Sequence, residues 1–335
     1  GKQVLIAGIM EHVERAGVHS GDSIAVYPAM GISHKVREQV LDYTTRLALA
    51  LRVKGLVNIQ YVIYGSEVYV LEVNLRASRT VPFLAKAAGI PLANLATRVI
   101  AGRTLQELGY KPAPDSAVIR HTLNVSSGQS AEGYGWIWPK PNRVAVKAPV
   151  FSWQKLTSVD VSLSPEMKST GEVMGSDQDF PRALYKTLLA AGLRVPQKGA
   201  VLITVADRDK AEILPIAAEL ASLGFRIFAT SGTARALKAS GIPCTQVNKV
   251  SEGSTNILDL VRNGEIHLVI NTPSRSNREV DRDGFLIRRT AVEHNVPCLT
   301  SLDTARAVVQ MLAAISEGTP MDVSALQDWN SVPQI

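Results

Sequence analysis

The sequence predicts an α/β protein with two domains, an α+β domain over residues 1–195 and a doubly wound parallel sheet over residues 196–335. The chain has 335 residues, which is enough for two domains that each have a core. From residue 200 onward, short apolar runs alternate with amphipathic stretches, a pattern typical of a parallel sheet flanked by helices. Before residue 193 the pattern is mixed, so we predict the domain boundary within the polar stretch 193–198.

The composition excludes several classes of protein. Hydrophobic residues make up 46% of the chain and charged residues 20%, as in ordinary globular proteins. No apolar run approaches the roughly 18 residues of a membrane span, and no signal-peptide pattern opens the chain. The net charge of +6 comes without a basic run, so we expect phosphorylated small ligands, with neither nucleic acid nor membrane as a partner. Cys244 and Cys298 lack metal-ligand spacing and are expected to be buried thiols of a cytoplasmic protein.

The elements of the first domain are predicted from periodicity. Apolar residues at helical spacing predict a helix over 33–53, with Ser33 as its N-cap. A polar loop with glycines at 17 and 21 would let backbone groups approach a ligand closely. Residues 110–143 are rich in Pro, Gly and Ser, so we predict a long loop or insertion there. The other predicted elements are a strand at 4–9, a hairpin at 56–74, two helices within 81–102, a strand at 144–150 and a helix at 180–191.

The hairpin carries the densest group of polar side chains. We interpret the apolar run 68–73 as a buried strand, at whose end Glu72 and Asn74 point to one face. A two-residue turn would pair Gln60 with Leu71 and leave Gln60 and Glu72 on opposite faces. A three-residue turn would pair Gln60 with Glu72. We predict the three-residue turn, because it brings three oxygen-bearing side chains together.

The chemistry of this group suits a metal-bound phosphate. Carboxylate and amide oxygens of Gln60, Glu72 and Asn74 are hard ligands for Mg²⁺. Arg76 and Arg79 follow the strand, and their forked guanidinium groups suit phosphoryl oxygens. The alternative interpretation is a strand end with ordinary surface charges.

Polar residues of the second domain fall at the carboxyl ends of its predicted strands. Ligands bind at that edge in open α/β sheets. The stretch 230–233 reads Thr-Ser-Gly-Thr and is predicted to open a helix, whose free backbone N–H groups suit an anion. The residues that we predict to bind a phosphorylated effector are Lys210, Thr230, Thr233, Lys249, Asn271 and Thr272.

These stretches together resemble the large subunit of carbamoyl-phosphate synthetase, most specifically over 9–23, 58–60, 72–83 and 165–174. The first domain is similar to the last part of the second ATP-grasp module, and the second domain to the methylglyoxal-synthase-like regulatory domain. The resemblance implies ATP-dependent phosphorylation of carbamate, with Mg²⁺ or Mn²⁺, for pyrimidine and arginine synthesis. The implied metal ligands are Gln60, Glu72 and Asn74, with Gln60 and Glu72 also beside ATP. Arg76 and Arg79 are implied to hold phosphoryl oxygens, and Gly17, Val18, His19 and Ser20 to lie along the nucleotide.

The resemblance also implies partners. A glutaminase small subunit or domain would supply ammonia, the remainder of the large subunit would complete the enzyme, and UMP or IMP would be the effector. A homo-oligomer is a further expectation. We expect the chain to be a fragment that makes no carbamoyl phosphate alone, because the other lobe of the ATP-grasp site would lie outside it. The alternative is a regulatory module that binds a nucleotide without catalysis, and the set of Gln, Glu, Asn and Arg side chains favours the enzyme.

Overall fold

The structure is a computed structural model that describes residues 2–114, 116–124, 130–253, 256–274, 278–316, 321 and 323–329. Contacts between Cα atoms divide the chain into two compact units. The first unit comprises Gly1–Glu11, Val26–Ala145 and Asp322–Ile335, and the second comprises His12–Ala25 and Val146–Met321. The second unit therefore combines the predicted parallel-sheet domain with two segments from the predicted first domain. The domain boundary at 195/196 was inferred from sequence pattern and stays a prediction.

Up to residue 190 the structure has the predicted helices, the hairpin and the strands predicted at 4–9 and 144–150, together with further strands that were not predicted. The elements of this part are β1 (Gln3–Ile6), β2 (Glu11–His12), β3 (Ala25–Tyr27), α1 (His34–Ala50), β4 (Asn58–Tyr64), β5 (Glu67–Asn74), α2 (Thr80–Ala88), α3 (Leu92–Ile100), β6 (Val118–Asn124), β7 (Ser130–Ile137), β8 (Val144–Val150), β9 (Gly171–Asp177) and α4 (Phe180–Ala190). Helix α1 begins as predicted, because Ser33 Oγ accepts a hydrogen bond from the Val36 N–H at 3.3 Å.

The prediction of a long loop at 110–143 is wrong for the residues that form strands β6 and β7. Strands β6 and β7 form an antiparallel pair, and β7 runs parallel to β1 in a three-stranded sheet. A Cβ on Gly133 would lie 2.6 Å from Leu49 Cδ2, and one on Gly135 would lie 2.3 Å from Thr45 Oγ1. These glycines therefore let β7 lie directly against α1, and glycine in a strand indicates this kind of close packing. Residues 125–129 lie outside the described residues, and the insertion stays a prediction.

The second half of the chain forms the predicted doubly wound sheet. Its elements are β10 (Ala200–Thr204), α5 (Lys210–Ser222), β11 (Arg226–Thr230), α6 (Ser231–Ala239), β12 (Thr245–Val247), α7 (Ile257–Arg262), β13 (Leu268–Asn271), α8 (Arg278–Glu293), β14 (Cys298–Leu299) and α9 (Leu302–Ser316), and α10 (Leu326–Trp329) follows. All five strands are parallel, in the order β12-β11-β10-β13-β14. The short edge strand β14 was not predicted. The central strands β10 and β13 form the buried core of the sheet.

The helices of the described residues include none that is long and apolar enough, by itself, to cross a bilayer. One pair, α2 and α3, reaches the required length and hydropathy only when taken together, and it is bent by 110° at its junction.

Candidate nucleotide, metal and effector sites

The hairpin of β4 and β5 brings the three predicted metal ligands together. Gln60 pairs with Glu72, and Asn58 pairs with Asn74. Both pairings confirm the predicted register. Because paired residues of an antiparallel ladder share a face, Gln60 and Glu72 lie on the same face of the hairpin.

The predicted three-residue turn is wrong, and a β-bulge produces the register instead. Tyr64 pairs with Glu67, so the turn has two residues. The register then changes by one residue between Gln60 and Tyr61, and Leu71 is the extra residue in β5. An extra residue on one strand is the defining feature of a bulge. The bulge therefore gives the pairing that we had assigned to a longer turn.

The three side chains form a hydrogen-bonded cluster. Glu72 Oε1 accepts from Gln60 Nε2 at 2.5 Å and from Asn74 Nδ2 at 2.8 Å. The second carboxylate oxygen and the two amide oxygens are hard donors, so the set fits Mg²⁺ or Mn²⁺ once both amides turn their oxygens inward. Among the described residues, no group of three or more His, Cys, Asp or Glu could hold a metal. A cation at this cluster would therefore depend on the amides and on oxygens of a ligand.

Strand β5 is not the buried strand that its apolar run predicted. Val68 is its only buried residue, and it packs against α1. Tyr69 is 52% exposed and Leu71 is 57% exposed. The hairpin is a two-stranded sheet, so much of β5 lacks a covering layer. Periodicity alone does not distinguish such a strand from one that is buried on both faces.

Arg76 and Arg79 lie in the short connection between β5 and α2. Arg76 is exposed, and its Nη1 donates to the carbonyl oxygen of Ala77 at 3.0 Å. Arg79 is the N-cap residue of α2. The connection starts at the end of β5 that carries Glu72 and Asn74, and the predicted contact of both arginines with phosphoryl oxygens stays a prediction.

The segment predicted to lie along the nucleotide belongs to the second unit, and its residues are Gly17, Val18, His19 and Ser20. Gly17 has a φ of +111°, a conformation that favours glycine. The His19 N–H donates to the Ser164 carbonyl at 2.9 Å, and His19 Nδ1 accepts from the Gly21 N–H at 3.0 Å. Lys147 Nζ donates to the Ser20 carbonyl at 3.4 Å. The imidazole of His19 therefore takes part in holding the loop.

Asp22 joins this segment to the loop before β9. Its side chain is 1% exposed, Oδ2 accepts from the Lys168 N–H at 2.7 Å, and Oδ1 accepts from the Ser169 N–H at 3.0 Å. Sequence reasoning missed both Asp22 and Lys168. The available signal was that both lie in the stretches that carry the family resemblance most specifically.

Glu14 is another residue that sequence reasoning missed. Its side chain is 5% exposed, Oε1 accepts from Thr304 Oγ1 at 2.7 Å, and Oε2 accepts from the Ile24 N–H at 2.8 Å. Burial raises the pKa of Glu14 to about 7, although these hydrogen bonds oppose the change, and the charge of Asp303 adds to it. No local pattern reveals this carboxyl, because burial is set by the packing of α9 against the 12–25 segment.

We expect Glu14 to make the protein less stable as the pH rises from about 4.5 to about 7. Its pKa is 4.5 ordinarily and about 7 in the folded protein, so the folded state keeps a proton that the unfolded chain has released. Raising the pH therefore penalises the folded state, by about 3 kcal/mol in all. Urea unfolding of wild type and Glu14→Gln at pH 5 and pH 8 measures this. Glu14→Gln should gain stability relative to wild type at pH 8. Glu166→Gln, the control at an exposed carboxylate, should not. Equal pH dependence of stability in wild type and Glu14→Gln would contradict the raised pKa of Glu14.

Two predicted effector residues, Lys210 and Lys249, lie at one edge of the C-terminal sheet. Lys210 Nζ is 2.6 Å from Asp207 Oδ1, and a Cβ on Gly232 would lie 3.0 Å from the same nitrogen. Lys210 lowers the pKa of the Asp207 carboxyl through its hydrogen bond and its charge, and the charge of Lys249 adds to this effect. Lys210 Nζ therefore lies beside Gly232 at the amino end of α6, while action of Lys249 on the same anion stays a prediction.

The other four predicted effector residues are buried, three of them at or just after strand ends and Thr233 in the first turn of α6, and they already make hydrogen bonds. Thr233 Oγ1 accepts from the Val205 N–H at 3.3 Å, Thr272 Oγ1 accepts from the Ala206 N–H at 2.9 Å, Thr230 Oγ1 donates to Thr204 Oγ1 at 3.2 Å, and Asn271 Nδ2 donates to the Thr204 carbonyl at 3.3 Å. A hydroxyl that accepts a hydrogen bond keeps its own proton for donation. Contact of these residues with an effector stays a prediction.

Two family models match the chain. The carbamoyl-phosphate synthase L chain ATP-binding domain matches residues 2–108, and the MGS-like domain matches residues 212–300. The chain therefore combines an ATP-grasp-like domain that matches an ATP-binding family model with an MGS-like domain. This is the carboxyl-terminal arrangement of the carbamoyl-phosphate synthase large subunit, which confirms the resemblance carried by the sequence motifs.

Similarity to solved structures is weaker. The crystal structure of ForH is 25% identical over 35% of this chain and 79% of that chain, with a TM-score of 0.29. A single-chain, multi-domain long-chain acyl-CoA carboxylase is 19% identical over 48% of this chain, with a TM-score of 0.33. The match spans 15% of the carboxylase. Both TM-scores are too low to support an argument about fold or function.

Proposed function

We propose that the chain is the carboxyl-terminal segment of a carbamoyl-phosphate synthase large subunit, an ATP-dependent ligase that phosphorylates carbamate to carbamoyl phosphate. The observation that carries this proposal is the cluster of Gln60, Glu72 and Asn74. It lies within the stretch that matches an ATP-binding domain, and its register depends on a bulge that gathers oxygen-bearing side chains. A bulge that re-aims a side chain is common next to active sites.

The proposed roles follow from the charge changes of phosphoryl transfer. Bound Mg²⁺ or Mn²⁺ supplies positive charge that neutralises the phosphate oxygens of ATP. Glu72 would hold the cation with its carboxylate, and Gln60 and Asn74 with their amide oxygens. Arg76 and Arg79 would hold the phosphoryl oxygens while a carbamate oxygen displaces ADP. Residues 17–20 would lie along the nucleotide and orient it, and the reaction requires no covalent nucleophile on the protein.

The proposed setting follows from the same family. Ammonia would come from a glutaminase small subunit or domain, and the remainder of the large subunit would complete the active site. We place the protein in the cytoplasm, in the synthesis of pyrimidines and arginine, with self-association into a homo-oligomer as part of the proposal.

The decisive experiment assembles the complete large subunit around this chain and adds the glutaminase. Formation of carbamoyl phosphate and ADP from glutamine, bicarbonate and ATP supports the proposal. ATP binding that requires Mg²⁺ but yields no product would instead support the alternative, a regulatory module that binds a nucleotide without catalysis.

We also propose that the C-terminal sheet binds a phosphorylated effector, UMP or IMP, at its carboxyl edge. Lys210 and Lys249 supply positive charge near the amino end of α6, where backbone N–H groups favour an anion. Thr230, Asn271 and Thr272 lie at or just after the ends of β11 and β13, and Thr233 lies in the first turn of α6, where donors to the phosphate, ribose or base are needed.

Replacing Lys249 by Ala is expected to weaken effector binding by about ten- to a hundredfold, because a charge-assisted hydrogen bond to the phosphate is lost. Isothermal titration of the whole chain with UMP and with IMP measures the dissociation constant. Lys238→Ala is the matched control, since it makes the same charge change in the last turn of α6. Equal weakening by both substitutions would indicate a general effect of charge rather than a phosphate contact.

A further inference from the structure

Arg288 of α8 is a fully engaged, buried cation that neither the proposed reaction nor the effector site uses. Its side chain is 2% exposed. Nε donates to Asp160 Oδ1 at 2.8 Å, Nη2 donates to Asp160 Oδ2 at 2.5 Å, and Nη1 donates to Asn271 Oδ1 at 2.5 Å. All three guanidinium nitrogens are therefore committed, two of them to one carboxylate.

Asn271, the acceptor of the Arg288 Nη1 hydrogen bond, lies at the carboxyl edge of the C-terminal sheet, where we propose the effector site. Asn271 is the last residue of β13, and its amide nitrogen also donates to the carbonyl of Thr204 at the end of β10. A ligand that binds between these strand ends and turns the Asn271 amide would change the bond that Arg288 makes.

Asp160, the ion-pair partner of Arg288, is connected by further hydrogen bonds to residues 17–20, the proposed nucleotide segment. Lys168 Nζ donates to the Asp160 carbonyl at 3.1 Å, and the Lys168 N–H donates to the buried carboxylate of Asp22 at 2.7 Å. The Asp22 N–H in turn donates to the carbonyl of His19 at 2.8 Å. A continuous series of hydrogen bonds thus connects Asn271 to the 17–20 segment within one compact unit.

The chemistry of Arg288 suits it to connect the two ends. A guanidinium group is planar and rigid, so rotating it to follow Asn271 also moves the pair of donors on Asp160. Arg288 is buried and Asp160 is 33% exposed, so solvent screens these charge-assisted bonds only in part.

We propose that Arg288 is a positioning residue that couples the effector edge of the C-terminal sheet to the nucleotide segment 17–20 through Asp160. The identity of the two ligands rests on the proposed function. The hydrogen bonds themselves do not require a ligand, so part of the test needs none.

The test measures amide hydrogen exchange in the whole chain. Arg288→Lys keeps the charge and loses the fork, whereas Asp160→Asn keeps the size and loses the charge. Arg289→Lys is the matched control, because Arg289 is also buried but donates to the carbonyls of Trp153 and Leu156 and to Glu293. Circular dichroism and thermal unfolding confirm that each variant is folded, and two variants on opposite sides of the pair allow for the loss of one.

Without ligand, the amides of Lys168, Ser169 and Asp22 should exchange about tenfold faster in Arg288→Lys and Asp160→Asn than in wild type and the control. With saturating UMP or IMP, exchange at these amides should slow in wild type and the control. Arg288→Lys and Asp160→Asn should lose that slowing. Their effector dissociation constants should stay within about threefold of wild type, because Lys210 and Lys249 are intact.

Wild-type exchange at these amides in both ligand-free variants would overturn the positioning role. Slowing by the effector in the variants as in wild type would overturn the coupling. If neither nucleotide binds wild type, the effector proposal fails and the coupling of two ligands fails with it, and the ligand-free comparison alone then decides whether Arg288 positions the segment.

Discussion

Replacing Glu72 by Gln is expected to lower carbamate-dependent ADP formation about a hundredfold in the assembled enzyme. Glu72 is the only carboxylate of the proposed metal cluster, and its Oε1 already holds both neighbouring amides in place. The substitution removes the negative charge that attracts the cation and turns an acceptor into a donor. A loss of about 3 kcal/mol of transition-state stabilisation corresponds to about a hundredfold in rate. Steady-state rates over a range of Mg²⁺ concentrations measure the effect, and the half-saturating Mg²⁺ concentration should rise.

Glu67→Gln provides the control for this prediction. Glu67 lies on the same strand and is exposed, but it pairs with Tyr64 beside the turn, at the other end of the hairpin. The control should keep wild-type rates and the wild-type requirement for Mg²⁺. Full activity of Glu72→Gln would show that the cluster does not hold the catalytic metal.

Replacing Asp22 by Ala is expected to lower the free energy of unfolding by about 3 kcal/mol. The carboxylate accepts two backbone N–H groups, those of Lys168 and Ser169, and the substitution leaves both donors without their acceptor. An unsatisfied buried polar group costs about 1–3 kcal/mol. Urea unfolding at neutral pH, with the same denaturant slope for both proteins, measures the difference.

Asp22→Asn distinguishes the contribution of the hydrogen bonds to stability from the contribution of side-chain packing. The amide keeps one acceptor oxygen in nearly the same volume, so its loss of stability should be clearly smaller than that of Asp22→Ala. Equal losses for the two variants, or a loss below about 0.5 kcal/mol for Asp22→Ala, would contradict the role of this carboxylate in holding the loop before β9.

Local patterns were sufficient for much of the fold. The alternation of apolar runs and amphipathic stretches after residue 200 predicted the parallel sheet, because its central strands β10 and β13 are buried on both faces and amphipathic helices cover them. Ser33 predicted the start of α1, because an N-cap requires only neighbouring backbone N–H groups. The pairing of Gln60 with Glu72 was predicted correctly from the chemistry of its side chains, although the reason given for it was wrong.

The sequence by itself determined the main helices, the hairpin, the central strands of the parallel sheet, the family resemblance of the two domains and the polar residues from which a metal and effector site can be built. These depend on neighbours along the chain. The tertiary structure alone decided that Leu71 forms a bulge, that the glycines of β7 lie against α1, and that Glu14, Asp22 and Arg288 are buried with their partners. Each of these depends on segments distant in the sequence, and the energy of a buried charge is set by the groups that surround it in space.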